Sequence, residues 1–135
     1  MISKKTKYGL KALIYLARQE TKEPIPIEVI AKSERISQKF LETILLTLRK
    51  GGILGSKKGK KGGYYLLKAP KDIAMVSVIR LLEGPIALVP CVSLNYYESC
   101  DDCLDEVNCG IRKFMIELRD CTLSVFSNKS LADLT

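Results

Sequence analysis

A chain of 135 residues, 47% hydrophobic and 27% charged, can bury one moderate core, or a small domain joined to an oligomerisation element. It contains no histidine, which removes the commonest general base and the commonest metal ligand, and no nucleophile–base constellation is visible, so an enzyme is not expected. No apolar run approaches the roughly 18–20 residues that span a bilayer, and the opening MISKKTKYGL lacks an apolar block, so a cytoplasmic protein without a membrane partner is expected.

The net charge of +7 is unevenly divided: residues 1–68 hold 16 Lys and Arg against 5 Asp and Glu, while residues 69–135 hold 6 against 10. A basic first half suggests a polyanionic partner. Residues 3–20 predict a helix capped by Ser3, with Gly9, Ala12, Leu13, Leu16 and Ala17 near one face. Lys4, Lys5, Lys7 and Lys11 crowd its start, where they oppose the helix dipole; facing phosphate would explain all four, with Lys4 and Lys7 taken as DNA contacts. After the turn Glu23-Pro24-Ile25-Pro26, a short helix is expected over 27–33 with Ile27, Ile30 and Ala31 inward. A tight turn through Glu34-Arg35-Ile36 then leads to a third helix over 37–50.

Ser37 is placed to cap that third helix. Leu41, Ile44, Leu45 and Leu48 recur at helical period, leaving Lys39, Glu42, Thr43, Thr47 and Lys50 outward, with Leu46 the one misfit. Gly51-Gly52 stops the helix. Two β-like runs follow, 53–56 and 64–67, flanking a loop at 57–63 with four lysines and three glycines. Helix, turn, polar-faced helix and basic hairpin outline a winged helix-turn-helix, which puts a helix in the major groove and a hairpin along the phosphates. The glycines of the loop do not make a P-loop. Gly55 and Gly59 are one residue too close, Lys61 stands where Ser or Thr should be, and no helix follows directly.

A fourth helix is expected over 72–83 through Met75, Val78, Ile79 and Leu82. Residues 85–109 lack periodicity, and a long helix follows over 110–127. Ile111, Phe114, Leu118, Cys121 and Val125 form its apolar seam, widened by Met115 and Phe126, with Cys121 expected to be buried. The seam is broad enough to pack on the body and on a second copy, so a homodimer on a pseudo-palindromic duplex is expected. The fold class is mainly α with a small β-wing: a winged helix-turn-helix plus a long C-terminal dimerisation helix. Its expected divisions are a DNA-binding domain over 1–70, a connector over 71–90, a cysteine-rich sensor loop over 91–109, and the dimerisation helix and tail over 110–135.

Four of the five cysteines, Cys91, Cys100, Cys103 and Cys109, fall within 19 residues, and a general disulfide framework is not expected in a reducing compartment. Four close thiolates suit an iron–sulfur cluster or zinc. Glu98, Asp101, Asp102, Asp105 and Glu106 surround them, and nearby negative charge raises thiol pKa values, which disfavours a free low-pKa thiolate. Thiol or disulfide switching, and no cofactor role, stay open beside metal binding.

KYGLKALIYLA, PIPIEVIAKSERIS and SQKFLETILLTLRKGGILGSKKGKKGGYYLLKAP, with the cysteine segment, the long helix and the closing SLADL, resemble the IscR/NsrR/CymR family of bacterial winged-helix transcriptional regulators over nearly the full length. The resemblance implies base contacts from Ser37, Lys39 and Glu42, with Gln38 beside them, while the hairpin pattern itself puts Lys57, Lys58, Lys60 and Lys61 along the phosphates. Lys58 stands where the family carries a wing arginine, and lysine reads a narrowed groove less well. The resemblance also implies a 2Fe–2S or 4Fe–4S cluster on Cys91, Cys103 and Cys109. Family members that take a fourth ligand from a histidine or an aspartate have Arg112 or Lys7 at those positions here, which leaves Cys100 as the candidate. The implied function is a DNA-binding repressor that senses redox, nitric oxide or iron–sulfur status. The alternative is a cluster-free regulator of cysteine or sulfur metabolism, controlled by a protein partner, an effector or thiol oxidation.

Overall fold

The computed structural model describes residues 2–135. Helix α1 spans Lys4–Ala17, and Ser3 Oγ accepts the Thr6 N–H at 3.2 Å to cap it. It ends three residues before the expected boundary. Beyond Ala17 the chain is polar up to Pro24, with no apolar side chain to hold a further turn on the core, and the Arg18 N–H closes the helix on the Ile14 carbonyl at 3.0 Å. Gly9 faces α4 (Met75–Leu82) so closely that a Cβ there would lie 2.5 Å from Leu82 Cδ1.

Helix α2 spans Ile27–Glu34 and α3 spans Gln38–Lys50. Ser37 caps α3 as expected, accepting the Phe40 N–H at 3.5 Å. Leu41, Ile44, Leu45 and Leu48 are fully buried, whereas Leu46 is exposed. Each such burial stabilises the fold by about 1.5–3 kcal/mol before chain entropy is counted. This stripe makes α3 the central helix, packed on α1, α2 and α4.

Strand β1 (Leu54–Lys57) pairs antiparallel with β2 (Gly63–Leu66), Leu54 opposite Leu66 and Lys57 opposite Gly63. Both strands are displaced by one residue from the expected runs. Ile53 still belongs to the end of α3, because its N–H donates to the Leu48 carbonyl at 3.0 Å. Gly63 has to be glycine: its φ is +152°, and a Cβ would lie 2.2 Å from the carbonyl carbon and oxygen of Ile25. That close approach lets Ile25 and Tyr64 exchange two backbone hydrogen bonds, at 2.9 and 2.8 Å, which tie the wing to the entry of α2.

Helix α4 starts three residues later than expected. Pro70–Asp72 form a 3-10 turn, Ile73 is extended and buried, and Ala74 bridges Ser130. The last long helix, α5, spans Gly110–Asn128 and contains no buried residue. The tail beyond it returns to the first core: Leu131 is fully buried, its N–H donating to the Ile73 carbonyl at 2.9 Å. The segment Leu131–Leu134 therefore packs with α1, although the sequence groups it with α5.

Candidate nucleic-acid interface and thiol segment

The first turns of α3 are held from two sides. Phe40 meets Tyr8 of α1 edge-on, with ring centroids 5.7 Å apart. Lys11 Nζ donates to the Glu34 carbonyl at 2.9 Å and pairs with its carboxylate at 3.6 Å, fixing α1 to the end of α2. Lys11 is therefore engaged within the fold and leaves the lysine cluster expected to face phosphate. Lys4 and Lys7 remain exposed.

The dipole conflict at the start of α1 also has a local answer. Glu83, just after α4, accepts hydrogen bonds from Ser3 N and Ser3 Oγ, each at 3.0 Å, and from the Thr6 hydroxyl. These bonds, the Thr6 hydroxyl first, lower the Glu83 pKa below the ordinary carboxylate value. A carboxylate thus sits at the positive end of α1. Thr6, fully buried, and Glu83 carry no local sequence signal for this pairing, because they lie 77 positions apart.

Ser37, Gln38, Lys39 and Glu42 are all exposed on α3, and Lys57, Lys58, Lys60 and Lys61 are all exposed on the hairpin. Arg49 Nη1 donates to Ser56 Oγ at 3.0 Å, bracing the last turn of α3 against β1. Gly59 turns the hairpin at φ +106° with open space around it. The local chemistry is a polar helix face with a carboxylate, an amide and an ammonium group, followed by four ammonium groups on a short hairpin. Such a set can accept and donate at base edges and neutralise phosphates.

The thiols lie at the other end of the chain. Cys91 is buried in a 3-10 turn, Pro90–Val92, which Arg119 Nη1 of α5 holds by donating to the Val92 carbonyl at 2.8 Å. Cys109 caps α5, its sulfur accepting the Arg112 N–H at 3.4 Å. Between them, the Tyr97 hydroxyl donates to the Glu106 carboxylate, at 2.8 and 2.7 Å to its two oxygens. Arg112 Nε pairs with Glu106 Oε1 at 3.3 Å. Glu106 pushes the Tyr97 hydroxyl pKa up by accepting that bond. The Cys100 thiol is pushed up first by its hydrogen bond with Cys91, then by burial and nearby acidic groups. Burial first, then Glu106, does the same to Cys103. No spacing in the sequence marks Tyr97, Glu106, Arg112 and Arg119 as the frame of this segment; only the fold brings them together.

Four thiols are the right donors for iron–sulfur or zinc, but their arrangement does not fit either. Among the described residues, no three Cys, Asp or Glu side chains are gathered closely enough to hold one metal ion. Residues 94–105 are nearly all exposed, with Leu104 fully so, and little packing fixes their course.

On α5, Ile111, Phe114, Leu118 and Val125 are 66%, 61%, 38% and 54% exposed, a continuous apolar stripe open to solvent. Cys121 departs from expectation: it is exposed rather than buried, because the body packs on the face of Met115, Ile116, Thr122, Leu123 and Phe126. A groove of about 510 Å³ adjoins Leu118, lined by Ile79, Ile86, Leu88, Met115 and Phe126 among others. Its two ionic groups, Glu83 and Arg119, are already engaged with Ser3, Thr6, the Val92 carbonyl and Asp120. No helix among the described residues is long and apolar enough to cross a membrane.

Comparison with known proteins agrees with this layout. The model of the Rrf2 family, described as an iron-dependent transcriptional regulator, matches residues 2–135. An rrf2-like helix-turn-helix regulator of Rhodobacter capsulatus is 44% identical, covering 99% of this chain and 91% of that protein. The structure of CymR, the global cysteine regulator of B. subtilis, superposes with a TM-score of 0.79 at 33% identity, covering 99% of this chain and 95% of the other. The structure of T. potens IscR superposes with a TM-score of 0.74 at 26% identity, covering 99% and 85%. The winged-helix architecture expected from the sequence is thus the fold of these neighbours, and the relatives are transcriptional regulators, not enzymes.

Proposed function

Because this chain belongs to the Rrf2 family of DNA-binding transcriptional regulators, we propose that it acts in the cytoplasm as a homodimeric repressor on a pseudo-palindromic operator. The observation that carries this reading is the exposed polar face of α3 directly followed by a four-lysine hairpin. Glu42 accepts from a cytosine amino group, Lys39 donates to guanine or phosphate, and Ser37 and Gln38 complete the helix start. Lys57, Lys58, Lys60 and Lys61 neutralise phosphates along the hairpin, and Lys4 and Lys7 add to them. Two copies dock through Ile111, Phe114, Leu118 and Val125, whose exposure supports a covered face in the working molecule.

The wing is tested by Lys58→Ala plus Lys60→Ala. Affinity for duplex DNA falls, and the slope of log K against log salt shrinks by about one for each phosphate that is no longer neutralised. An unchanged slope would show that the hairpin does not touch the backbone.

Residues 91–109 form the input of this regulator. The family description supports iron as the signal, and the donor chemistry of Cys91, Cys100, Cys103 and Cys109 agrees with it. Ligation requires the exposed stretch between Cys91 and Cys109 to bring further thiols to the Cys91–Cys100 pair, because no three donors are gathered among the described residues of this fold. The likeness to a cysteine regulator favours a second reading, in which the input is a protein partner, an effector or thiol oxidation and no metal is bound. Anaerobic purification with iron, sulfide and zinc assayed per chain decides. Matching iron and sulfide support a cluster, whereas a metal-free protein that resists reconstitution leaves the second reading.

A further inference from the structure

Helix α2 ends in a tightly closed turn. The Ile36 N–H donates to the Ala31 carbonyl at 2.9 Å, and the Arg35 N–H donates to the Lys32 carbonyl at 3.4 Å. This is the double closure of a Schellman motif, sealed by the buried apolar pair Ala31 and Ile36. Such a closure forces the residue between its two bonds into the left-handed region, and Arg35 sits there with φ 55° and ψ 47°. It is the one non-glycine residue of the described chain with a left-handed φ. Glycine or asparagine adopts this conformation at low cost, and an arginine does not.

The fold offers no reason for the arginine. Its side chain is exposed, and the ion pairs among the described residues join Lys11 to Glu34, Arg112 to Glu106, and Arg119 to Asp120, leaving Arg35 out. A cation near the C-terminus of α2 would serve the helix dipole, but Lys32 and the Lys11 ammonium on the Glu34 carbonyl already do so. What distinguishes position 35 is its place: two residues before the Ser37 cap, in the turn that delivers α3. Strain held in a rigid turn beside a binding face points to a functional cause.

We propose that Arg35 is a phosphate clamp of the DNA interface, retained in a strained backbone position because its guanidinium grips the strand at the edge of the groove that α3 enters. The proposal rests on the DNA-binding reading and adds to it a residue outside both the recognition helix and the wing. Arginine suits the role because its planar fork meets a phosphate with two parallel hydrogen bonds. The closed turn supplies what a flexible loop would not, a fixed point of departure for the side chain.

The test measures affinity for a mixed-sequence duplex long enough for two half-sites, across a salt series, together with thermal unfolding. The variants are Arg35→Gly, Arg35→Asn and Arg35→Lys. Glycine and asparagine relieve the left-handed backbone, so both proteins should melt at or above the wild-type temperature. Both should nevertheless bind several-fold more weakly, with a salt slope smaller by about one. Lysine should keep the slope and recover part of the affinity. Unchanged affinity and slope in Arg35→Gly would overturn the proposal, as would a lower melting temperature in both Arg35→Gly and Arg35→Asn, which would make the arginine a structural residue. If Lys58→Ala plus Lys60→Ala weakens binding while Arg35→Gly does not, this proposal alone falls. A wild-type protein that binds no duplex would remove the DNA-binding reading itself.

Discussion

Glu83 shows how one side chain resolves a conflict that the local sequence poses. Lys4, Lys5 and Lys7 oppose the dipole in the first turn of α1, and a carboxylate just after α4 offsets them by binding Ser3 and Thr6. Its folded pKa is lowered, so the stabilisation is fully present above the ordinary carboxylate range and is lost as pH falls through the lowered value. Glu83→Gln should cost roughly 1 kcal/mol at neutral pH, a modest figure because the group is near the surface. Thermal melts should show a drop of a few degrees at pH 7 that closes in acid. Equal drops at both pH values would mean that the charge is not what matters.

At the scale of elements, α3 was legible because its signal is local: a period of three to four from Leu41 to Leu48, a serine cap before it and a glycine pair after it. The wing was legible to within one residue. Its register could not be read, because it depends on Ile53 closing α3 and on Ile25 pairing with Tyr64 across some forty positions of sequence. The face of α5 was only half legible. The stripe of Ile111, Phe114, Leu118 and Val125 could be read, but which side meets the body could not, and Cys121 was consequently misplaced. The exposed stripe carries a prediction. Phe114→Glu with Leu118→Glu should leave the unfolding cooperative and shift sedimentation from dimer to monomer, because neither side chain is buried in the single chain. A dimer that survives both charges would move the interface elsewhere.

The whole molecule divides its labour along the chain. The basic first half supplies α1, α2, α3 and the wing, whose core is completed by Ile73, α4 and Leu131 of the acidic second half. That second half also carries the thiol segment between a buried Cys91 and the cap of α5 at Cys109. The tail closes the circuit, since Leu131 beyond α5 is buried in the core that supports α3. A change in the thiol segment therefore bears on α5 at its first residue and reaches the winged helix at its last. Under the proposed function, that connection is the route by which a change at the thiols would reach α3 and the wing. The sequence could reveal the thiols but not their frame, because Tyr97, Glu106, Arg112 and Arg119 meet only after α5 docks.

In the proposed function, two copies of α3 and its wing read two half-sites of one duplex. Duplexes selected from a random library, bound by the full chain and mapped by hydroxyl-radical footprinting, decide whether they do. The expected result is an enriched pseudo-palindrome with two symmetric protections centred about one helical turn apart, or a multiple of it, the inner edges fading in Lys58→Ala plus Lys60→Ala. A single unsymmetric protection, or a library with no enriched sequence, would contradict it.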